Sequence, residues 1–386
     1  MSSAQPIPFN RPHLTGNEAG FIADALAGGK LAGDGPFTRR CREQLLALIG
    51  CRESLLTHSC TAALEMCALL LDLHAGDEVV MPSFTFVSTA NAFALRGAKP
   101  VFVDVQADTL NIDPDAIEAA ITPRTRAIVV VHYAGVGCDM AAIGAIAARH
   151  GLPVVEDAAQ AIMAARDGRP LGSFGDLAAL SFHDTKNIVC GEGGALLINR
   201  EAFVRRAEIL REKGTDRSRF LRGQVDKYTW QDIGSSFLPS DILAAFLHAQ
   251  LEAAQSITAA RVAIWERYHE LLQGLEQRGL LRRQVVPPGC RHNGHMYFVL
   301  LAPGISRDAV LQGLRERGIT ATFHYVPLHS SPAGLQLGRT DGELPITSDS
   351  AARLVRLPLW PGLQPQDQQR VVDALTEVLS SAAPRS

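Results

Sequence analysis

From residue 40 to about residue 200 the chain alternates short β-rich apolar runs with segments of helical periodicity. The predicted strands are Glu78–Met81, Pro100–Val105, Ala127–His132, Pro153–Glu156, Ala178–Phe182 and Ala195–Ile198. Between them the spacing predicts helices over Thr61–Leu73, Ser88–Leu95, Pro114–Ala120 and Met140–His150. The strand runs lack the polar/apolar alternation of a sheet with one wet face, so both faces must be covered. Such a succession implies an α/β fold around a mainly parallel sheet. In that architecture ligands sit beyond the carboxyl ends of the strands, so the residues just after each strand are the ones to read for chemistry.

A long helical stretch, Ser240–Leu275, follows. After Pro287-Pro288-Gly289 come a predicted strand Met296–Leu301, a helix Arg307–Arg317, a strand Thr320–Val326 and a helix Gln366–Leu379. This predicts a large domain over residues 1–254, N-terminal segment included, and a smaller C-terminal α+β domain over 255–386. With 386 residues there is ample material for both cores.

Charge and cysteine usage exclude several classes. Lys+Arg 37 against Asp+Glu 40 leaves a net −3, so no whole-protein field draws the chain to nucleic acid or an anionic membrane. The opening MSSAQPIPFNRPHLTG has no apolar core and does not read as a signal peptide, and stretches such as Ala127–Val131 and Cys67–Leu71 are too short to span a bilayer. Seven cysteines without a C-x-x-C pair argue against a disulfide scaffold or a metal cluster. The expectation is a cytoplasmic enzyme with no metal. Of the 37 basic residues only five are lysines, at 30, 99, 186, 213 and 227. Arginine neither loses its proton nor forms an imine, so a retained lysine is of interest as an amine.

Three post-strand segments carry potential chemistry. Ser181-Phe-His-Asp-Thr-Lys186-Asn leads into Cys190-Gly-Glu-Gly-Gly194 and puts Lys186 just beyond a strand. A desolvated lysine there is a free amine able to condense with an aldehyde. Pro153-Val-Val-Glu-Asp157-Ala-Ala-Gln160 ends a strand on Asp157, a carboxylate that can keep a pyridine nitrogen protonated. Thr57-His-Ser59-Cys60-Thr61 runs straight into an apolar helix, a phosphate-binding arrangement. Each has a plainer reading when taken singly: a solvated lysine, an acid capping a helix, an ordinary N-cap. Phe86, in Pro82-Ser-Phe84-Thr-Phe86, either stacks on a flat ligand or packs in the core. Gly135-Val-Gly137 followed by Asp157 imitates a dinucleotide fingerprint, but Met140 stands where its third glycine belongs.

Taken together, GDGPFTRRCR, THSCTAALEM, MPSFTFVSTANAFALRGAKPVFVDV, VVEDAAQ, SFHDTKN, GEGG and FHYVPLH resemble the DegT/DnrJ/EryC1/StrS sugar aminotransferases, from Pro8 to about Leu379. The resemblance implies a fold-type-I, aspartate-aminotransferase-like architecture and pyridoxal 5'-phosphate as cofactor. It makes Lys186 the covalent anchor and proton carrier. Asp157 becomes the partner of the pyridine nitrogen and Gln160 that of the ring hydroxyl. Cys60, Thr61 and Ser181 become phosphate ligands, and Phe86 the ring that stacks on the cofactor. The stretch 211–241 is most like members that move nitrogen from L-glutamate to C4 of dTDP-4-keto-6-deoxy-D-glucose, giving dTDP-4-amino-4,6-dideoxy-D-galactose and 2-oxoglutarate. Action on a 3-keto or other nucleotide-linked sugar would use the same cofactor residues, whereas a sugar dehydratase of this scaffold usually carries histidine in place of Lys186. Lys227, Tyr228, His324 and His329 fall in the likeness as substrate contacts, each histidine being equally readable as a structural hydrogen bond. The resemblance also implies a homodimer with its sites near the interface. Many members reach the partner's cofactor phosphate through Gly-x-Asn-x-Arg. Here Ser236 replaces the Asn, keeping a hydrogen-bond donor, and Leu238 replaces the Arg, losing its charge.

Overall fold

The computed structural model describes residues 5–382. Two helices, α1 (Glu18–Ala27) and α2 (Pro36–Ile49), precede the sheet. Strands β1 (Glu53–Thr57), β2 (Glu78–Pro82), β3 (Lys99–Val103), β4 (Thr125–Val131) and β5 (Val154–Asp157) then alternate with α3 (Cys60–Leu70), α4 (Val87–Ala94), α5 (Pro114–Ala120) and α6 (Met140–His150). A small hairpin, β6 (Ala165–Arg166) and β7 (Arg169–Pro170), leads to β8 (Leu177–Ser181) and β9 (Gly194–Ile198). Next come α7 (Val204–Arg211), α8 (Arg217–Leu221), α9 (Asp241–Glu252), α10 (Ala254–Leu271) and α11 (Gln273–Gln277). The remainder holds β10 (Leu281–Arg283), β11 (Cys290–Arg291), β12 (Tyr297–Leu301), α12 (Arg307–Glu316), α13 (Pro332–Leu337), β13 (Arg339–Thr340), α14 (Pro345–Arg353), β14 (Leu354–Leu357) and α15 (Pro365–Ala382).

The main sheet has the order β1-β9-β8-β5-β4-β2-β3-β13. Neighbours pair in parallel except at β9, which runs against both β1 and β8. The mainly parallel α/β sheet predicted from sequence is therefore present. Every residue of β1, β2, β5, β8 and β9 is buried, because α3 and α4 cover one face while α2, α5, α6 and α9 cover the other. This two-sided cover is what removed the polar/apolar alternation from the strand sequences.

A second core forms around the antiparallel sheet β10-β12-β14, with α10, α12 and α15 against it. Ile7 belongs to that core, bridging Ile319 through hydrogen bonds to Gly318 and Thr320. Two sequence expectations differ from the structure. The helix predicted over Ser240–Leu275 breaks at Ala253 (ψ 6°) into α9 and α10, and again before α11. Its first part packs on the main-sheet core and its later part on the second core, and one straight rod cannot serve both. The strand predicted over Thr320–Val326 makes a single bridge, Thr322 to Arg356. Phe323 and Val326 stay exposed, and Pro327 cannot extend a ladder.

Candidate active site

The direction of the strands decides where the site lies. β1, β2, β4, β5 and β8 all finish at one edge of the sheet, and the reversed β9 starts there. The segments beyond those ends line a cavity of about 800 Å³, which the second core closes with Met296, Thr322, His324, Tyr325 and Arg356.

At the end of β1, Ser59 is extended (φ −162°) and its Oγ accepts the N–H of Ala62 at 3.0 Å, capping α3. The N–H groups of Cys60 and Thr61 find no acceptor among the described residues, and both residues line the cavity. Free amides at a helix N-terminus form an anion site. Thr61 Oγ1 pairs with Ser88 Oγ at 2.8 Å, and Ser181 ends β8 beside them. A Cβ on Gly194 would collide with the backbone of Ser59 and Cys60, so the GEGG run lets β9 lie against the start of α3.

At the end of β5 two neighbouring carboxylates face opposite ways. Glu156 accepts N–H groups from Gly172 (2.7 Å), Phe174 (2.6 Å) and Gly175 (2.6 Å), and pairs with His132 Nε2 at 2.8 Å. Asp157 turns to the cavity, where Thr89 Oγ1 (2.7 Å) and the Ala159 N–H (3.1 Å) donate to it. No cation bonds it among the described residues. Burial therefore pushes its pKa up, against the pull of those two hydrogen bonds. Across the cavity the Lys186 amine has no hydrogen bond or ion pair among the described residues, and desolvation pushes its pKa down. A carboxylate and an amine thus face one space, neither neutralised by the protein.

Gln160 is fixed at both ends of its amide: Oε1 accepts the Ala134 N–H at 2.6 Å and Nε2 donates to Tyr325 Oη at 2.9 Å. Its second Nε2–H is uncommitted. Phe86, at the start of α4, is 57% exposed and lines the cavity, whereas Phe84 is 1% exposed in the core. The core-packing reading therefore belongs to Phe84, and the Phe86 ring is free to cover a flat ligand.

Of the residues singled out from sequence, Lys186, Asp157, Gln160, Cys60, Thr61, Ser181, Phe86 and His324 line this one cavity. His324 Nδ1 bonds Tyr133 Oη at 3.1 Å. His329, Lys227, Tyr228 and Ser236 do not line it. His329 Nδ1 is tied to Ser83 Oγ at 2.7 Å, the structural hydrogen bond that was the alternative for it. Tyr228 packs its ring on Phe220 in an exposed loop, and Ser236 is exposed and bridges Glu212 through its backbone. Gly135 and Gly137 face the side chains of Asn293 and Arg166, so no ligand backbone replaces a missing Cβ there. Sequence reading missed Arg261, His295 and Arg356, which also line the cavity. The signal for Arg356 was available: one charge inside the apolar run Leu354-Val-Arg-Leu-Pro-Leu-Trp360.

Fold and cavity define a pocket at the carboxyl edge of an α/β sheet in which an unpaired lysine amine, a buried carboxylate and the amides that open α3 meet. Residues 12–376 match the model of the DegT/DnrJ/EryC1/StrS aminotransferase family, and the chain belongs to that family. Among solved structures it is similar to the aminotransferase TlmJ from Streptoalloteichus hindustanus, with 32% identity, TM-score 0.89, and 97% of this chain and 99% of that one covered. It is similar to S. venezuelae DesV at 31% identity and TM-score 0.88, covering 99% and 100% of the two chains. Spr1654 from Streptococcus pneumoniae, named a putative sugar aminotransferase and solved in its PMP form, shares 26% identity at TM-score 0.90 over 98% of each chain.

Proposed function

We propose that this sugar aminotransferase moves an amino group from L-glutamate to C4 of dTDP-4-keto-6-deoxy-D-glucose, forming dTDP-4-amino-4,6-dideoxy-D-galactose and 2-oxoglutarate. The aminotransferase class follows from the family. The assignment of roles rests on one observation: the uncompensated Asp157 carboxylate and the unpaired Lys186 amine share a cavity with the free amides that open α3. The choice of sugar rests on the likeness of 211–241 to members acting on that substrate.

Pyridoxal 5'-phosphate is the family's cofactor, and when bound it supplies the carbonyl that takes up and releases nitrogen and a ring that withdraws electrons. The residues fit it. Asp157, a buried carboxylate that no cation pairs with among the described residues, would keep the ring nitrogen protonated. Gln160, with one Nε2–H uncommitted among the described residues, would bond the ring oxygen. Cys60 and Thr61, through their N–H groups, and Ser181 would hold the phosphate, and the exposed Phe86 ring would cover the cofactor. Lys186 Nζ, desolvated and hence basic without being permanently charged, takes the proton from the donor Cα and returns one to sugar C4.

Tyr228 and Trp230, 50% and 80% exposed, stand on the loop that also carries Lys227 and Ser236. A second copy of the chain covering this loop would bring those residues to a site they do not reach within one chain, which supports the homodimer reading. The division near residue 254, between a large unit and a smaller one, is supported by the helix break at Ala253. A cytoplasmic location accords with the seven cysteines, all free.

The substrate assignment is tested by supplying dTDP-4-keto-6-deoxyglucose or its 3-keto isomer with L-glutamate and identifying products by mass spectrometry and NMR. Nitrogen at C4 of the first is expected. Conversion of the 3-keto isomer alone would overturn the choice of sugar and keep the aminotransferase.

A further inference from the structure

The segment Asn293-Gly294-His295 joins β11 to β12 and bonds both sides of the cavity. On one side Asn293 Nδ2 donates to the carbonyls of Gln160 and Ile162, each at 2.8 Å. On the other, the Asn293 carbonyl accepts Asn187 Nδ2 at 2.8 Å, and His295 Nδ1 meets Asn187 Oδ1 at 2.8 Å. Asn187 directly follows Lys186 and is buried, whereas Asp184 and Thr185 before it are exposed. It is therefore the first inward anchor of the turn that carries the lysine. The segment is itself braced. Arg261 donates to the carbonyls of Gly294 (3.1 Å) and His295 (2.7 Å), and Asn293 Oδ1 accepts the His295 N–H at 3.0 Å. A Cβ on Gly135 would collide with Asn293 Oδ1, so glycine there leaves the amide its seat.

These bonds fix where the protons sit. Asn187 Nδ2 donates to a carbonyl, so Oδ1 is the atom turned to His295. An amide oxygen only accepts, which places the ring proton of His295 on Nδ1. Burial, then the charges of Lys186, Arg261 and Arg356, push the His295 pKa well below its ordinary value, and the ring stays neutral. Nε2 has no hydrogen bond among the described residues, so the ring has two roles to offer: bracing Asn187 through Nδ1, or meeting a ligand through Nε2. Geometry favours the first. Both ends of the Asn187 amide are engaged at 2.8 Å, and the residue is 3% exposed. The Lys186 amine has no bond of its own among the described residues, so its stem takes its direction from the backbone that Asn187 anchors. We propose that His295 is a positioning residue: its Nδ1–H holds the Asn187 amide, and through it the backbone of Lys186, against the Gln160 side of the cavity. This rests on the aminotransferase reading of the site.

The test uses the holoenzyme and three substitutions of His295. Asparagine sets an amide nitrogen where Nδ1 stands, glutamine sets its own nearer Nε2, and alanine supplies neither. His295→Ala is expected to lower kcat by about 50-fold while KM for L-glutamate stays within about threefold, since the amine is displaced and no substrate contact is lost. His295→Asn should recover to within about fivefold of the wild type, and His295→Gln should not recover. A readout outside turnover is the rate at which added pyridoxal 5'-phosphate is captured on Lys186, quenched with borohydride and read by mass spectrometry. It should follow the same order. Nitrogen NMR of histidine-labelled protein gives the tautomer directly: the signal missing from the variants is expected to carry its proton on Nδ1. Recovery by His295→Gln and not by His295→Asn would transfer the role to Nε2 and overturn the proposal. So would equal rates in all three variants, a loss seen only in KM, or a wild-type proton on Nε2. A wild type that reacts with no amino acid would instead remove the aminotransferase reading, and the capture rates and the tautomer would still decide the role of His295.

Discussion

At the residue scale, chemistry is concentrated in groups that the protein leaves unmatched. Asp157 and Glu156 are adjacent and both buried, yet Glu156 is saturated by three backbone amides and His132, whereas Asp157 keeps a face open to the cavity. The strand pleat separates an acid spent on structural hydrogen bonds from one that faces the cavity. Among the described residues the Lys186 amine has no hydrogen bond or ion pair, so replacing it breaks none. Lys186→Ala and Lys186→Arg are therefore expected to melt within a few degrees of the wild type while turnover falls by more than about 1,000-fold. Normal multiple turnover by either variant would remove the lysine from the mechanism. Lys186 and Asp157 were legible in the sequence because their chemistry and their position after a strand coincide. Arg356 was not read, although its single charge inside the apolar run Leu354–Trp360 sets it apart; that the side chain lines the cavity depends on how β14 packs, which the run alone does not say.

At the scale of elements, the cap of α3 and the lower edge of the sheet each carry a testable load. Ser59 satisfies the Ala62 amide and so fixes the direction of the N–H groups beyond it. Ser59→Ala should cost about 1 kcal/mol in chemical denaturation. It should also weaken cofactor affinity, read by titrating the apoprotein, since the free amides lose their alignment. A variant with lowered stability and unchanged affinity would separate the cap from the phosphate site. At the opposite edge, Glu78 is fully buried at the start of β2 and binds Arg339 of β13, Thr122 and Arg124. Hydrogen bonds from Arg339, more than those from Thr122 and Arg124, pull its pKa from 4.5 to about 2 against the cost of burial. A carboxylate with a lower pKa folded than unfolded stabilises the fold above the unfolded value and loses that contribution as pH falls toward the folded one. Stability should therefore drop by about 2 kcal/mol between pH 4.5 and pH 2 on account of this group. Glu78→Gln should flatten that part of the acid-unfolding curve while lowering stability at neutral pH. An unaltered curve would contradict it.

At the scale of the whole molecule, the parallel sheet was legible because burial on both faces leaves a mark in every strand. The N-terminal helices and β1 were not read, since they lie outside the regular alternation and β1 joins through β9, its neighbour in space and not in sequence. The irregular segment Thr320–Val326 imitates a strand in composition, and only its distance from a full pairing partner shows otherwise. Lys227, Tyr228 and Ser236 lie outside the cavity of one chain, a property no single-chain pattern reveals. The homodimer reading places them at a subunit boundary, and Trp230→Asp, altering the most exposed aromatic of that loop, should shift sedimentation toward monomer at micromolar concentration. An unchanged dimer would put the interface elsewhere. Whether Lys186 and Asp157 form one cofactor site is decided by chemical mapping. The protein would be loaded with pyridoxal 5'-phosphate, reduced with borohydride, digested, and the modified peptide sequenced by mass spectrometry. A single pyridoxyl label on Lys186, absent from Lys186→Ala, is the expected result. A label on Lys30, Lys99, Lys213 or Lys227, or none at all, would contradict it.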